Sequence, residues 1–349
     1  MSDQISATPK SRNSLGDISV LYVSALMRAA EAEGANSTEL ASRFQLDHQT
    51  LNSPEARISI PRFMRLGHAA ISETGNPALG LRMGALSRPV DAGIAGFAGE
   101  TASTVGAAIS ILIHYALLTS RNSRGVPMVW PETRQAQFYS IRPYNGFNYF
   151  VVDSVLAAWT QFLRTVSGCY DVLERVTIEY QPIGQDDLFE SWFRCPVHFG
   201  ASKNSLTVRQ DIWESASQQA QPAMHEKLTD LCERELQQIR RGWTTGDRVK
   251  NLLTPLFQGE TPSLETIAMK LGTAPWTLQR QLAAEGTGFR ELMDETRKQL
   301  ARDYIRETET SLAEIAWLLG FANPAAFHKA YRRWFSLSPG EHRKRIRHS

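Results

Sequence analysis

Apolar and polar positions in the last third of the chain repeat themselves. Ser263-Leu-Glu-Thr-Ile-Ala-Met-Lys-Leu-Gly272 and Ser311-Leu-Ala-Glu-Ile-Ala-Trp-Leu-Leu-Gly320 carry Leu, Ile, Ala, Leu and Gly at the same steps after the serine. That spacing predicts a short amphipathic helix in each copy. A capping serine opens it and a glycine able to take the left-handed backbone closes it. Ser311 and Glu314 further form a capping-box pattern. A second amphipathic stretch follows each glycine, with Leu278 and Leu282 inward in the first copy. One extra residue enters the second turn, so Phe327 and Tyr331 take those places in the second copy. Two helices joined by a tight glycine turn describe a helix-turn-helix, and here two stand in register.

Between the copies, Phe289, Leu292, Met293, Thr296, Leu300, Tyr304 and Ile305 recur at helical spacing, and no Pro or Gly interrupts 289–307. A helix of that length is a rod of about 28 Å. Successive major-groove faces of B-DNA lie about 34 Å apart. One chain is therefore expected to hold two reading helices near one DNA turn apart.

The pattern before residue 242 is mixed. Helices are expected at 18–33, 37–44, 61–74, 101–119, 147–167 and 224–241, and strands at 126–130, 134–141, 176–180 and 206–208. Thr101 or Ser103 is the expected cap of the fourth helix. The predicted fold class is an α+β N-terminal domain followed by an all-α domain of two helix-turn-helix units joined by a long helix. The expected boundaries are a disordered tail at 1–17, an α/β domain at 18–241, a linker at 242–246 rich in Gly and Thr, and a DNA-binding domain at 247–349.

Composition changes this picture little, and charge sharpens it. The chain has 349 residues, 42% hydrophobic and 21% charged, which suits two globular domains. Net charge is only +2, but residues 243–349 hold 16 Lys+Arg against 12 Asp+Glu. Seven of those bases and one acid, Glu341, fall within 328–349, a stripe suited to phosphates. The longest apolar run, 107–118, is broken by Ser110 and His114 and is too short to span a bilayer. Residues 1–17 lack the apolar core of a signal peptide or anchor. A cytoplasmic protein without a membrane partner is expected.

Within the repeat, Trp276, Gln279 and Arg280 lie away from the inward leucines, at the end that enters a groove. Arg bridges guanine O6 and N7, and Gln pairs with adenine. By register, His328 matches Gln279 and Lys329 matches Arg280. Asn323 opens the second reading helix, and Arg332 and Arg333 fall a turn later, where phosphate is the expected target. Pro324-Ala325-Ala326 offers little hydrogen bonding, so this unit is expected to read thymine methyls or groove shape. Arg343 and Lys344 complete the basic set. The plainer alternatives are solvated surface for Gln279, Arg280 and His328, and packing on the turn for Trp276.

Cys169, Cys195 and Cys232 are far apart, and Cys195-Pro-Val-His198 alone cannot complete a metal site. No catalytic constellation, metal site or cofactor is expected. There is no Gly-x-Ser-x-Gly, no His-Glu-x-x-His and no phosphate-binding loop.

Residues 245–347 resemble the DNA-binding domain of AraC/XylS-type transcription regulators. The resemblance rests on Ala301, Tyr304-Ile305, Thr308, Ser311-Leu312, Glu314-Ile315-Ala316, Gly320-Phe321, Phe327, Tyr331-Arg332, Ser338-Pro339 and Arg343. Tyr331 and His342 stand where the family usually has Phe and Tyr, and Ser336 stands at a place normally Gly. That serine puts a left-handed turn in question. Gly80-Leu-Arg-Met-Gly84, Gly93-x-x-Gly96-x-x-Gly99 and Trp192-Phe-Arg-Cys-Pro-Val-His-Phe199 are similar to the arabinose-binding-type N-terminal domain of ornithine-utilisation-regulator-like members. The glycine run is not the dinucleotide fingerprint, and close backbone packing is its expected role. The resemblance implies an activator that binds promoter DNA, contacts RNA polymerase, forms a homodimer and responds to a small-molecule effector.

Aromatics between Phe138 and Phe150, with Arg142, Asn145 and Asn148, are candidates to line an effector pocket. Core packing or a dimer interface is the weightier alternative for them. An effector-independent regulator, controlled by abundance or partner proteins, is the rival function. A DNA-repair alkyltransferase carrying the same DNA module is a third, which three scattered cysteines fit poorly.

Overall fold

The computed structural model describes residues 16–347 apart from 54–55, 123–124, 183, 185, 242–243, 254–255, 258–260 and 309. The chain opens with β1 (Gly16–Ser19), α1 (Val20–Ala32), α2 (Ser37–Arg43), α3 (His48–Leu51), β2 (Arg57–Ser59) and α4 (Ile60–Thr74). There follow α5 (Leu79–Ala85), α6 (Ile94–Glu100), α7 (Val105–His114), β3 (Ser120–Asn122), β4 (Met128–Trp130) and β5 (Gln135–Phe138). The long α8 (Tyr149–Ser167) leads to β6 (Leu173–Thr177), α9 (Asp186–Phe193), β7 (Val197–His198), β8 (Asn204–Val208) and α10 (Gln210–Glu214). From α11 (Pro222–Arg241) onward the described chain is helical: α12 (Thr245–Leu253), α13 (Leu264–Lys270), α14 (Pro275–Ala284), α15 (Phe289–Glu307), α16 (Leu312–Leu318), α17 (Pro324–Phe335) and α18 (Pro339–Arg347).

The N-terminal domain is α+β, with two sheets around helices. One is antiparallel, ordered β2-β1-β3; the other runs β4-β5-β8-β6-β7, with only β6 and β7 parallel. Helix α8 is the spine, most of its 19 residues being buried. Glycines let α5 lie directly on it. A Cβ at Gly80 would meet Asp153 Cβ at 2.6 Å, and one at Gly84 would meet Ala157 Cβ at 2.1 Å. The second glycine run works alike: a Cβ at Gly96 would lie 1.8 Å from the Pro89 carbonyl oxygen. Close packing, not nucleotide binding, is the use of both runs.

Several local expectations need correction. Gly16 and Asp17, assigned to a disordered tail, form β1; the rest of 1–17 lies outside the described residues. The helix expected at 101–119 is shorter. Thr104, not Thr101 or Ser103, caps α7 by accepting from the Ala107 amide at 3.2 Å. Thr101 instead bonds back to the Phe97 and Ala98 carbonyls at the end of α6. In the expected linker, Thr245 and Gly246 already belong to α12, where the Glu285 carboxylate accepts from both amides; residues 242–243 lie outside the described residues.

Candidate nucleic-acid interface

Each predicted helix-turn-helix forms around the residues that repeat. Ser263 accepts from the Thr266 amide at 3.1 Å, and Ser311 and Glu314 make the reciprocal capping box. Gly272 and Gly320 take φ of 64° and 66°, the left-handed conformation the turns require. Ile267, Ala268, Leu278 and Leu282 are fully buried in the first unit; Ile315, Ala316, Phe327 and Tyr331 are their buried counterparts in the second. Ser336 ends α17 at φ 60°, so the left-handed turn forms on a serine. The two departures at Tyr331 and His342 answer one another, the phenol and His342 Nδ1 lying 2.6 Å apart. Burial and the neighbouring arginines lower the His342 pKa.

The outward faces hold most of the predicted contact residues. Trp276 is 64% exposed, Gln279 and Arg280 are exposed beside it, and Arg280 lies over the Trp276 ring at 5.5 Å. Trp276 therefore does not pack on the turn. In the second unit Lys329 and Arg332 are exposed, and His328 is half-buried with its ring edge-on to Phe327. Asn323 is held in a structural role, because its Oδ1 accepts from the Ala326 amide at 2.9 Å and caps α17. Arg333 reaches back to α15, pairing with Asp294 at 2.7 Å, while Trp334 Nε1 donates to the same carboxylate at 2.9 Å. Arg343 is half-buried and acts electrostatically on Tyr331, whereas Lys344 and Arg345 are exposed.

Arg297 on α15 was missed from sequence. It donates to the Leu319 carbonyl at 2.8 Å, to the Gly320 carbonyl at 3.1 Å and to Thr261 Oγ1 at 3.0 Å. Its guanidinium carbon lies over Phe257 at 5.0 Å and Phe321 at 5.1 Å. One side chain thus ties the rod, the turn of the second unit and the segment entering the first. The only sequence signal was a charged residue on the rod's mostly apolar stripe.

Arg142, Asn145 and Asn148 line a cleft with Met64, Phe147 and, from α15, Tyr304. Their side chains are largely engaged in holding the loop: Arg142 pairs with Glu179 at 2.6 Å, and Asn148 donates to the Ile141 and Pro143 carbonyls. Cys195 and Cys232 are not activated. Burial pushes the Cys195 thiol up to about 12 and Cys232 up to about 11. Among the described residues no group of three or more His, Cys, Asp or Glu could hold a metal, and no helix is long and apolar enough to cross a membrane.

Residues 34–216, more than half the chain, match the arabinose-binding N-terminal domain of AraC transcription regulators, and 267–345 match a helix-turn-helix domain. The chain belongs to the AraC family of transcription regulators. This regulator is similar to the ornithine utilization regulator of Pseudomonas aeruginosa, at 27% identity over 94% of this chain and 96% of that protein. It is also similar to the regulator VirS of Mycobacterium tuberculosis, at 26% identity over 89% of this chain and 91% of that one. The crystal structure of the regulator CdpR from Pseudomonas aeruginosa aligns with 88% of this chain and 96% of its own, at 22% identity and a TM-score of 0.40.

Proposed function

We propose that this AraC-family regulator binds promoter DNA with both helix-turn-helix units at once, α14 and α17 entering neighbouring major grooves. The observation that carries the reading is the matched exposure of Gln279 and Arg280 on one reading helix and of Lys329 and Arg332 on the other, with an uninterrupted 19-residue α15 between them. Trp276, Gln279 and Arg280 read bases in the first groove. Lys329 and His328, with the α17 N-terminus that Asn323 caps, sit at the second. Arg332, Lys344 and Arg345 meet phosphates; Arg333 and Arg343 act mainly by holding the helices that present them.

The protein works in the cytoplasm as a homodimer through the N-terminal domain, activates transcription by contacting RNA polymerase, and changes its DNA occupancy when that domain takes up a small molecule. The cleft between the 141–148 loop and the end of α15 supports this coupling, because it puts N-terminal residues against the rod itself.

Selection of bound duplexes from random DNA at physiological salt tests the proposal. Two short elements about one helical turn apart are expected for the full-length chain. A single element, or no enrichment over nonspecific binding, would overturn it.

A further inference from the structure

The N-terminal domain contains a second, larger open chamber, with about 800 Å³ between its walls when the adjoining solvent is included. One face of α8 forms its floor, with Val155, Trp159 and Phe162. Met83, Leu112, Tyr22 and the turn Pro89–Ala92 complete its wall. Protein interiors ordinarily fill such space. Here Ala25, Ala92, Ala95, Ala116 and Ala158 line it, and their short side chains leave it open.

Its polar groups are few and unevenly placed. Ser154 and Thr165 donate back to carbonyls of their own helix. The remainder gather at the Ser87–Asp91 end with Tyr22 and Thr119. Asp91 is buried and doubly engaged, accepting from the Arg28 guanidinium and, at 2.9 Å, from the Arg88 amide. The Arg88 guanidinium reaches that carboxylate only at 3.5 Å and its side chain is 59% exposed. Two arginines against one carboxylate leave an excess positive charge there. Burial raises the Tyr22 pKa, which keeps its hydroxyl protonated.

We propose that this chamber is the effector site and that it takes a monocarboxylate with an apolar body, the acid held by Arg88 beside Tyr22 and the body lying over α8 against Trp159. The effector role rests on the ligand response proposed above; the binding site does not. A pentose fits poorly, because each of its hydroxyls would need a partner and most of the wall offers none. An isolated amine would meet the excess positive charge at the Ser87–Asp91 end.

The test uses the full-length protein titrated calorimetrically with octanoate, 4-phenylbutanoate, octan-1-ol, octylamine and L-arabinose, with Trp fluorescence read in parallel. At least one of the two acids is expected to bind about tenfold or more tighter than the alcohol and amine, a charge-assisted contact being worth that much. Which acid wins distinguishes an aliphatic from an aromatic body. Arg88→Gln should abolish the preference of acid over alcohol, and Ala158→Phe should remove binding of both while leaving ligand-free DNA binding intact. Slowed hydrogen exchange in α8 of the unmodified protein on adding the acid gives a readout independent of the variants. Equal binding of acid and alcohol, preference for the amine or arabinose, no binding of either acid at millimolar concentration, or an unchanged preference in Arg88→Gln would overturn the site. Acid binding that obeys both variants but leaves DNA occupancy unchanged would keep the site and overturn only its effector role.

Discussion

Arg297 of the rod donates to the Leu319 carbonyl at the end of α16. Helix C-termini leave carbonyls without intrahelical partners and carry partial negative charge, so a cation there both caps and stabilises. The same guanidinium reaches Gly320 and Thr261, which makes it a joint between the two reading units. Arg297→Ala should destabilise the protein by about 1.5–3 kcal/mol, the range for a lost charge-assisted hydrogen bond. Arg297→Lys should recover little, since an ammonium cannot reproduce the planar fork. Denaturant unfolding of the three proteins checks both statements. A lysine variant as stable as the parent would show that charge alone is sufficient.

Arg280 lying on Trp276 predicts a coupled pair on the first reading helix. Arg280→Ala should cost about 1–3 kcal/mol on the preferred sequence and much less on random DNA, as removal of a base contact does. Trp276→Ala should cost less, and the double variant less than the sum, because the ring orients the guanidinium. Binding isotherms on both duplexes measure this. Equal losses on specific and random DNA would remove Arg280 from base reading.

Neighbouring arginines on α17 should behave differently. Arg332 and Arg333 are both exposed, and Arg333 pairs with Asp294 at 2.7 Å. Each phosphate contact contributes about one to the slope of log affinity against log salt. Arg332→Ala should lower that slope by about one, and Arg333→Ala should barely change it. A salt titration of each variant decides the matter.

These contrasts mark how far the sequence could be read. The repeat of Ser263–Gly272 at Ser311–Gly320 placed both units and the capping box, and the uninterrupted stretch 289–307 placed the rod, because each depends on local backbone chemistry. What Arg333 and Arg297 do depends on partners distant in sequence, Asp294 and Leu319, and no periodicity announces those. The short strands β1, β2 and β3 escaped for a similar reason: three or four residues give no measurable alternation, and their pairing is long-range. Thr104 was missed as the cap because two nearby residues offer the same hydroxyl chemistry. Arg142, Asn145 and Asn148 do border a cleft, as their polarity suggested, although most of their hydrogen bonds hold the loop.

A buried acid gives the N-terminal domain a pH dependence. Asp153 is fully buried on α8, its Oδ1 accepts from the Tyr180 hydroxyl, and burial pushes its carboxyl up to about 7. Between about pH 4 and pH 7 the folded protein then holds a proton that the unfolded chain releases. Its contribution to stability accordingly falls as pH rises through that window, and is flat on either side. Asp153→Asn should be close to neutral at about pH 4 and stabilising by a few kcal/mol at about pH 8, since a tenfold difference in proton affinity between folded and unfolded chains is worth about 1.4 kcal/mol. Thermal unfolding of both proteins across that range gives the comparison. A difference independent of pH would mean the carboxyl titrates normally.

One chain reading two grooves through a rigid connection is the central claim. Its most direct test measures full-length protein on the selected duplex and on the same duplex with about half a helical turn, roughly 5 base pairs, inserted between the two elements. Helix α12 is paired to the rod through Lys250 and Glu295 and held to the first unit by Glu285, and Arg297 holds the second, so the rod cannot follow the second element to the opposite face of the DNA. Affinity for the inserted duplex should fall to that of a duplex carrying one element. Undiminished affinity would mean that the units read independently, and would contradict the rigid double reader.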